Sequence, residues 1–138
     1  AGEGSLRGQL TASCPPNFHL LGNLTQDDLS RLLLEADIFC LHSRSEGFCT
    51  SLLEASACAL PSIVPDFGGA RELIPSCDYG WVLPDCETAT FVDGLNSALA
   101  LSRDALLEMG KKDQLLVRQT YNWNHSLSLL RSAYEHSK

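Results

Sequence analysis

The segment ADIFCLHSRSEGFCTSLLEASACAL, residues 36–60, places a strand, a turn and a helix in direct succession. Residues 36–42 are mostly apolar and predict a short buried strand, while residues 50–60 carry apolar side chains at helical spacing. The turn at residues 43–49 therefore lies at the carboxyl end of a strand, which is the edge where open α/β sheets bind ligands.

Strand and helix patterns alternate outward from this segment in both directions. The other predicted strands are residues 17–22, 63–64 and 80–83, and the other predicted helices are residues 6–11, 25–36 and 70–74, with three further pieces from residue 87 onward. Such alternation with short connections is typical of a parallel sheet with helices on both faces. We therefore predict one α/β domain spanning residues 1–138.

The charge of the chain argues against several classes of partner. The net charge is -7, and no basic run is longer than Lys111-Lys112. Because polyanions bind to clustered positive charge, neither nucleic acid nor an acidic membrane surface is an expected partner. No apolar run approaches the roughly 20 residues that a membrane-spanning helix needs, so no transmembrane segment is predicted.

The six cysteines form no C-x-x-C pair, so the sequence contains neither a zinc-ribbon spacing nor a thioredoxin-type motif. Cys40 and Cys58 lie in apolar segments and are interpreted as small core residues rather than disulfide partners. We therefore expect neither of these two kinds of site and a reducing, cytoplasmic location.

The helix that starts near Thr50 offers a seat for an anion. Its first amide groups have no partner within the helix and lie at the positive end of the peptide dipoles, which suits a diphosphate. Helical side chains lean toward the amino end, so the Glu54 carboxylate can reach back toward the seated group. A carboxylate only accepts hydrogen bonds and therefore suits the two hydroxyls of a ribose. Glu46, on the strand side of the turn, then faces the other end of the ligand.

Each of these residues also has a purely structural interpretation. An acidic residue near a helix start stabilises the helix by about 0.3 to 1 kcal/mol without any ligand. Gly47 can serve the turn, Phe48 can pack in the core, and Gly68-Gly69 can supply a positive φ or a close backbone approach in a loop. The combination of all of them favours a ligand site.

Several motifs follow one another in a fixed order. They are Gly2-Glu3-Gly4, Phe18 to Gly22, Ala36-Asp37 to Ser43, Glu46 to Glu54, Ala57 to Pro61, Asp66 to Gly69 with Glu72, and Tyr121-Asn122-Trp123. They resemble the elements G-D-G, V-x-F-L-G, A-D-x-x-x-x-P-S, E-x7-E, A-x-G-x-P, D-x-G-G-x-x-E and F-S-W of family-four retaining glycosyltransferases, in their carboxyl-terminal domain. The resemblance covers nearly the whole chain and implies the Rossmann-like, carboxyl-terminal half of a GT-B fold.

The resemblance also implies a role for each residue of the turn. Glu46 is expected to face the donor sugar near its reacting carbon, and Glu54 to bind the ribose hydroxyls of a nucleoside-diphosphate sugar. The backbone at Leu24 is expected to meet the base. The residues whose backbone is expected to meet the sugar hydroxyls and the diphosphate are Gly47, Phe48, Cys49 and Thr50. The implied reaction retains anomeric configuration and needs no metal or cofactor.

Three residues near the turn depart from the family pattern or stand outside it. Cys49 occupies a position of glycine or another small residue and is interpreted as a tolerated small side chain. Ala59 replaces a glycine, so a left-handed helix end is not expected there. His42 is interpreted as a hydrogen-bonded structural residue rather than an acid or base.

The family's domain begins with a strand and helix that carry a basic pair, and this chain has neither. We therefore expect a partial donor-binding domain that lacks the central first strand of its sheet and the amino-terminal, acceptor-binding domain. Alone, it is expected to bind donor weakly and to turn nothing over. The missing part leaves a location at the cytosolic face of a membrane open.

Two other functions remain open at this point. A sugar-nucleotide epimerase of the GT-B fold shares the architecture but needs a different set of acid and base groups, and the E-x7-E element disfavours it. A truncated or degenerate chain would instead be a non-catalytic module that binds sugar nucleotides or docks a partner.

Overall fold

The computed structural model describes residues 1–136, which fall into two units, Ala1–Glu35 and the residues from Ala36 onward. The first unit contains helices α1 (Arg7–Ser13) and α2 (Gln26–Glu35). Thr25 caps α2, because its hydroxyl accepts a hydrogen bond from the Asp28 amide at 3.2 Å. The start of this helix is therefore set by the residue that the sequence indicates.

The strand predicted over residues 17–22 does not form. The amide of Gly2 donates to the carbonyl of Gly22 at 2.6 Å, but no ladder forms along the segment, which begins in a turn at residues 16–17. A strand needs a partner along its length. The prediction of a strand over residues 17–22 is therefore wrong, because no segment among the described residues pairs with it.

The second unit is built on three parallel strands, β1 (Phe39–Cys40), β2 (Ser62–Pro65) and β3 (Gly80–Leu83), which are neighbours in that order. β2 pairs with β3 along its whole length. β1 is shorter than the predicted 36–42, because its pairing with β2 covers Phe39 opposite Ser62 and Cys40 opposite Ile63.

Five helices accompany this sheet within residues 36–136. They are α3 (Thr50–Ala57), α4 (Ala70–Leu73), α5 (Thr88–Leu99), α6 (Arg103–Thr120) and α7 (Trp123–Glu135). Their number and order agree with the prediction, including the three pieces after residue 87. α3 ends at Ala57 rather than at Leu60.

The two central residues of β2 face opposite layers of helix. Ile63 packs with Leu83 and with Ala98 of α5. Val64 belongs to a second cluster, whose members include Leu52 of α3, Leu73 of α4 and Val117 of α6. Successive side chains of a strand point to opposite faces, so this arrangement confirms the predicted α/β fold with helices on both sides of a parallel sheet.

The end of α3 corrects the expectation for Ala59. This residue adopts a φ of 60°, in the left-handed region. The Leu60 amide donates to the Ala55 carbonyl at 3.1 Å and the Ala59 amide to the Ser56 carbonyl at 3.0 Å, which is the Schellman pattern of a helix end. The expectation was wrong because these two hydrogen bonds, and the Pro61 that follows, favour the turn more than the alanine side chain opposes it.

Replacing Ala59 with glycine is expected to raise the free energy of unfolding by about 1 kcal/mol, because glycine adopts a positive φ without steric cost. Chemical denaturation of the two proteins measures the difference. An unchanged or lower free energy of unfolding would show that the left-handed residue carries no strain.

Helices α3 and α6 meet with very little space between them. A Cβ at Gly110 of α6 would overlap the carbonyl group of Ala59. Within the described residues, both carboxylate oxygens of Asp113 and the Ser56 hydroxyl are buried at this contact without a hydrogen bond of good geometry. Burial raises the pKa of Asp113 from 3.8 to about 6, and the nearby Ser56 hydroxyl offsets only part of that rise.

Asp113→Asn is expected to stabilise the fold by about 1 to 3 kcal/mol at pH 8 and to give little gain near pH 4. The pKa of Asp113 is higher in the folded than in the unfolded chain, so the folded state holds the proton more tightly. Stability is therefore lost as the pH rises from 3.8 through about 6. Denaturation curves across this range test the effect. Asp93→Asn, an exposed change in α5, is the control that should show no such pH-dependent gain.

Candidate functional site

The candidate site lies at the carboxyl edge of the sheet, where the turn at residues 43–49 joins β1 to α3. The loop after β2, residues 66–69, and the loop after β3, residues 84–87, leave the sheet at the same edge because the strands are parallel. The site is therefore formed by three connections rather than by one.

The loop after β2 approaches the turn backbone to backbone. A Cβ added at Gly68 would lie 2.8 Å from the carbonyl oxygen of Gly47 and 3.1 Å from that of Glu46. Gly69 has a φ of +47°, and a Cβ there would lie 3.2 Å from the Phe48 ring. The two glycines thus meet both needs that the sequence suggested, a close approach and a positive φ.

The amino end of α3 lacks a side-chain cap among the described residues. Cys49 occupies the cap position in an extended conformation, and its side chain makes no capping hydrogen bond among the described residues. The Leu53 amide makes the first helical bond, to the Cys49 carbonyl at 3.2 Å. The amides of Thr50, Ser51 and Leu52 therefore have no partner within the helix.

Cys49 itself is part of the core. Its side chain is 3% exposed and packs in the same cluster as Leu52 and Val64. Its Sγ lies 3.2 Å from the Ser51 Oγ. The interpretation as a small, buried side chain agrees with this position, which fixes the residue at which the turn becomes a helix.

Phe48 is not the core residue of the structural interpretation, because it is 45% exposed. Its ring instead contacts the ring of Tyr121, at a centroid distance of 5.5 Å. Burial raises the pKa of Tyr121, and the negative charge and hydrogen bond of Glu72 raise it further. Tyr121, which Glu72 contacts, therefore packs against the exposed ring of Phe48.

The two carboxylates lie on either side of the helix start. Glu46 is half-buried in the turn, and Glu54 is half-buried one turn inside α3. Burial raises the pKa of the Cys58 thiol, and the charge of Glu54 adds to that effect. The charge of Glu54 therefore acts on Cys58, one turn further along the chain.

The structure brings most of the predicted site residues together on one segment. That segment contains Glu46, Gly47, Phe48, Cys49 and Thr50, followed by Glu54. Leu24 belongs to the first unit, where it is half-buried immediately before the Thr25 cap of α2. The binding and catalytic roles of these residues remain predictions.

Sequence reasoning missed that Cys86, in the loop after β3, contacts the turn at residues 43–49. Nε2 of His42 donates to the carbonyl oxygen of Cys86 at 2.8 Å, and the Cys86 thiol donates to the carbonyl oxygen of Ser43 at 3.4 Å. The His42 ring also packs on Phe91 of α5, with ring centroids 4.9 Å apart. The prediction of a hydrogen-bonded structural histidine is confirmed, but no local signal identified Cys86.

Two further searches concern residues 1–136 only. In that part of the chain, no three or more His, Cys, Asp and Glu side chains are grouped so that they could hold a metal ion. Within it, every helix is too short or too polar to cross a membrane.

Comparison with known proteins identifies relatives along most of the chain. The family model for glycosyl transferases group 1 matches residues 9–115. One subunit of human phosphatidylinositol N-acetylglucosaminyltransferase is 25% identical over 84% of this chain and 24% of its own length. N-acetyl-alpha-D-glucosaminyl L-malate synthase of Bacillus anthracis is 31% identical over 79% of this chain and 28% of its own length. The chain thus spans about a quarter of the length of these curated relatives.

A solved structure shares the fold. Sucrose-phosphate synthase from Thermosynechococcus elongatus superposes with a TM-score of 0.81 at 19% identity, over 95% of this chain and 33% of that one. This likeness agrees with the Rossmann-like sheet implied by the motifs. At this identity it concerns the fold alone.

Gly68→Ala is expected to lower the free energy of unfolding by about 1 to 3 kcal/mol, because the new methyl group meets two backbone carbonyls that cannot rotate away. Gly8→Ala in α1, where a Cβ meets nothing within 4 Å, is the control and should be neutral or slightly stabilising. Equal melting temperatures for Gly68→Ala and the unmodified protein would contradict the close approach.

Proposed function

The chain belongs to the family of group 1 glycosyl transferases, and on that premise we propose that it is the donor-binding part of a retaining glycosyltransferase. The donor is a nucleoside-diphosphate sugar, and the reaction moves the sugar to an acceptor. The observation that carries the proposal is the uncapped amino end of α3 with Glu46 before it and Glu54 inside it.

The diphosphate binds at the backbone amides of Cys49 and Thr50, where α3 begins. These donors point out of the helix, and the peptide dipoles add a positive potential, so no cationic side chain is needed at this point. The same donors stabilise the charge that develops on the leaving diphosphate as the bond to the sugar breaks.

Glu54 and Glu46 contact opposite ends of the donor, the nucleoside and the sugar. Glu54 accepts hydrogen bonds from the ribose hydroxyls, which fixes the nucleoside relative to α3. Glu46 lies beside the sugar and stabilises the positive charge that the sugar carries in the transition state. The bond between the sugar and the leaving phosphate breaks, and the acceptor hydroxyl bonds to the sugar from that same face and gives its proton to the phosphate. Attack from the face of the leaving group retains the anomeric configuration. No metal or cofactor takes part in this scheme.

The remaining contacts come from the backbone. Gly47 and Phe48 meet the sugar hydroxyls, and Leu24 meets the base. Gly47 suits such a contact because a Cβ there would meet nothing within 4 Å, which leaves the backbone open to a ligand.

The rest of the activity is proposed to lie outside this chain. The chain spans about a quarter of the length of its curated relatives. We therefore assign residues 1–138 to a partial donor-binding domain. The acceptor site is placed in an amino-terminal domain of a longer protein. Alone, the chain binds donor weakly and is inactive. The longer protein works in the cytoplasm or at the cytosolic face of a membrane.

In the full-length protein, Glu54→Ala is expected to weaken nucleoside-diphosphate binding about 10- to 100-fold, because it removes hydrogen bonds to a charged acceptor. Glu46→Gln is expected to leave that affinity unchanged and to lower kcat about 100-fold or more. Calorimetric titration with UDP, GDP and ADP, and transfer assays with the matching sugars, measure both effects. The names of the two relatives above refer to N-acetylglucosamine, so donors with that sugar come first.

Glu108→Ala is the matched control, since Glu108 is an exposed carboxylate on α6 that pairs with Lys111. It should change neither affinity nor rate. Nucleotide binding by Glu54→Ala that equals the unmodified protein would end the ribose assignment. A product of inverted configuration would end the retaining mechanism, and binding without any transfer would favour the non-catalytic module.

A further inference from the structure

We propose that His42 and Cys86 are positioning residues, which hold the Glu46 turn in place for sugar transfer through a clasp formed by His42, Ser43 and Cys86. The proposal deepens the function given above and rests on it. It concerns the backbone that carries Glu46 rather than a contact with the donor.

The clasp consists of two hydrogen bonds that run in opposite directions. A carbonyl oxygen only accepts, so Nε2 of His42 carries the hydrogen that it donates to Cys86 across 2.8 Å. The Cys86 thiol donates back to the Ser43 carbonyl oxygen across 3.4 Å. The ring of Phe91 lies against the His42 ring and restricts its rotation. Three side chains from two segments thus fix one short piece of backbone.

This clasp acts where the sheet itself holds the turn weakly. β1 comprises only Phe39 and Cys40, so its ladder ends before His42. The next fixed point along the chain is the contact of Gly68 with the carbonyls of Glu46 and Gly47. The clasp therefore ties the backbone between Leu41 and Glu46 to the loop after β3.

The connection from the clasp to Glu46 is short. Ser43 is held through its carbonyl oxygen, and its hydroxyl donates to the carbonyl oxygen of Ser45 at 3.3 Å. Glu46 follows directly. Residues 43–46 are therefore fixed by the loop after β3 at one end and by the loop after β2 at the other, and the position of the carboxylate depends on both.

The sequence gives a reason why this chain needs such a device. His42 stands where the pattern A-D-x-x-x-x-P-S has proline, a residue that fixes its own φ. Histidine has no such restriction. Here the clasp restricts the backbone at His42 through a bond to Cys86, 44 positions away in sequence. The conformation of the turn therefore depends on the loop after β3.

The test uses the full-length protein with four substitutions. His42→Ala and Cys86→Ala each remove one bond of the clasp, whereas His42→Gln and Cys86→Ser keep a donor in a similar place. We expect kcat to fall about 10-fold or more in the two alanine variants, since small misplacements of a catalytic group are costly. The dissociation constant for the nucleoside diphosphate, which depends on α3 and Glu54, should change less than about 2-fold, and the conservative variants should recover most of the rate.

Cys77→Ala and His125→Ala are the controls, because both residues are exposed and lie outside the candidate site. They should keep the rate of the unmodified protein. Melting temperatures of all variants are measured in parallel, so that a loss of rate in a fully folded variant is separated from a loss of fold.

The proposal is overturned if His42→Ala and Cys86→Ala retain full kcat while Glu46→Gln is slow. It is also overturned if kcat, nucleotide affinity and melting temperature fall together in the alanine and the conservative variants, because the clasp would then be structural only. Full activity of Glu46→Gln in the same assay marks a failure of the proposed function and removes the basis for the clasp as well.

Discussion

Strand β2 is paired on both edges and buried on both faces, and β1, β3, α3 and α5 all pack directly against it. Its four residues, Ser62 to Pro65, are all buried. Because Ile63 and Val64 point in opposite directions, α5 must cover one face and α3, α4 and α6 the other. Fully burying an aliphatic side chain of this size contributes about 1.5 to 3 kcal/mol, so neither layer can be lost without a large cost.

This constraint also creates the site. Parallel strands bring their carboxyl ends to one edge, and each of the three strands then continues into a loop that must turn back toward a helix. The loop after β2 contains Gly68 and can therefore touch the Glu46 turn through its backbone. The loop after β3 carries Cys86 and touches the turn from another direction. The turn that carries Glu46 is thus positioned by loops that are distant from it in sequence.

The elements that the sequence predicts well are those with a local cause. β3 lies between turn-forming residues, α2 begins at a threonine with aspartates behind it, and Pro61 limits how far α3 can extend. The failures have causes that the preferences of single residues do not contain. Residues 17–22 form no strand, because the pattern within one segment does not specify a pairing partner. Ala59 takes a left-handed conformation, because the hydrogen bonds of the helix end outweigh the preference of alanine.

The same distinction holds at the candidate site. The E-x7-E spacing and the helix start place six of the seven predicted residues on one segment, since both are local features. The bond from His42 to Cys86 spans 44 positions and has no counterpart in any spacing rule. The role of Gly68 likewise depends on which backbone it meets, and only the three-dimensional arrangement supplies that.

Helix α3 is anchored at both ends, by the buried Cys49 at its start and by the Ala59 turn beneath Gly110 of α6 at its finish. A helix held in this way cannot slide or rotate to suit a guest. Its amides are preorganised, so little ordering entropy is lost when a ligand docks. For the diphosphate proposed above, the corollary is selectivity by shape: a molecule whose negative groups are spaced differently from these fixed donors gains no compensation from induced fit.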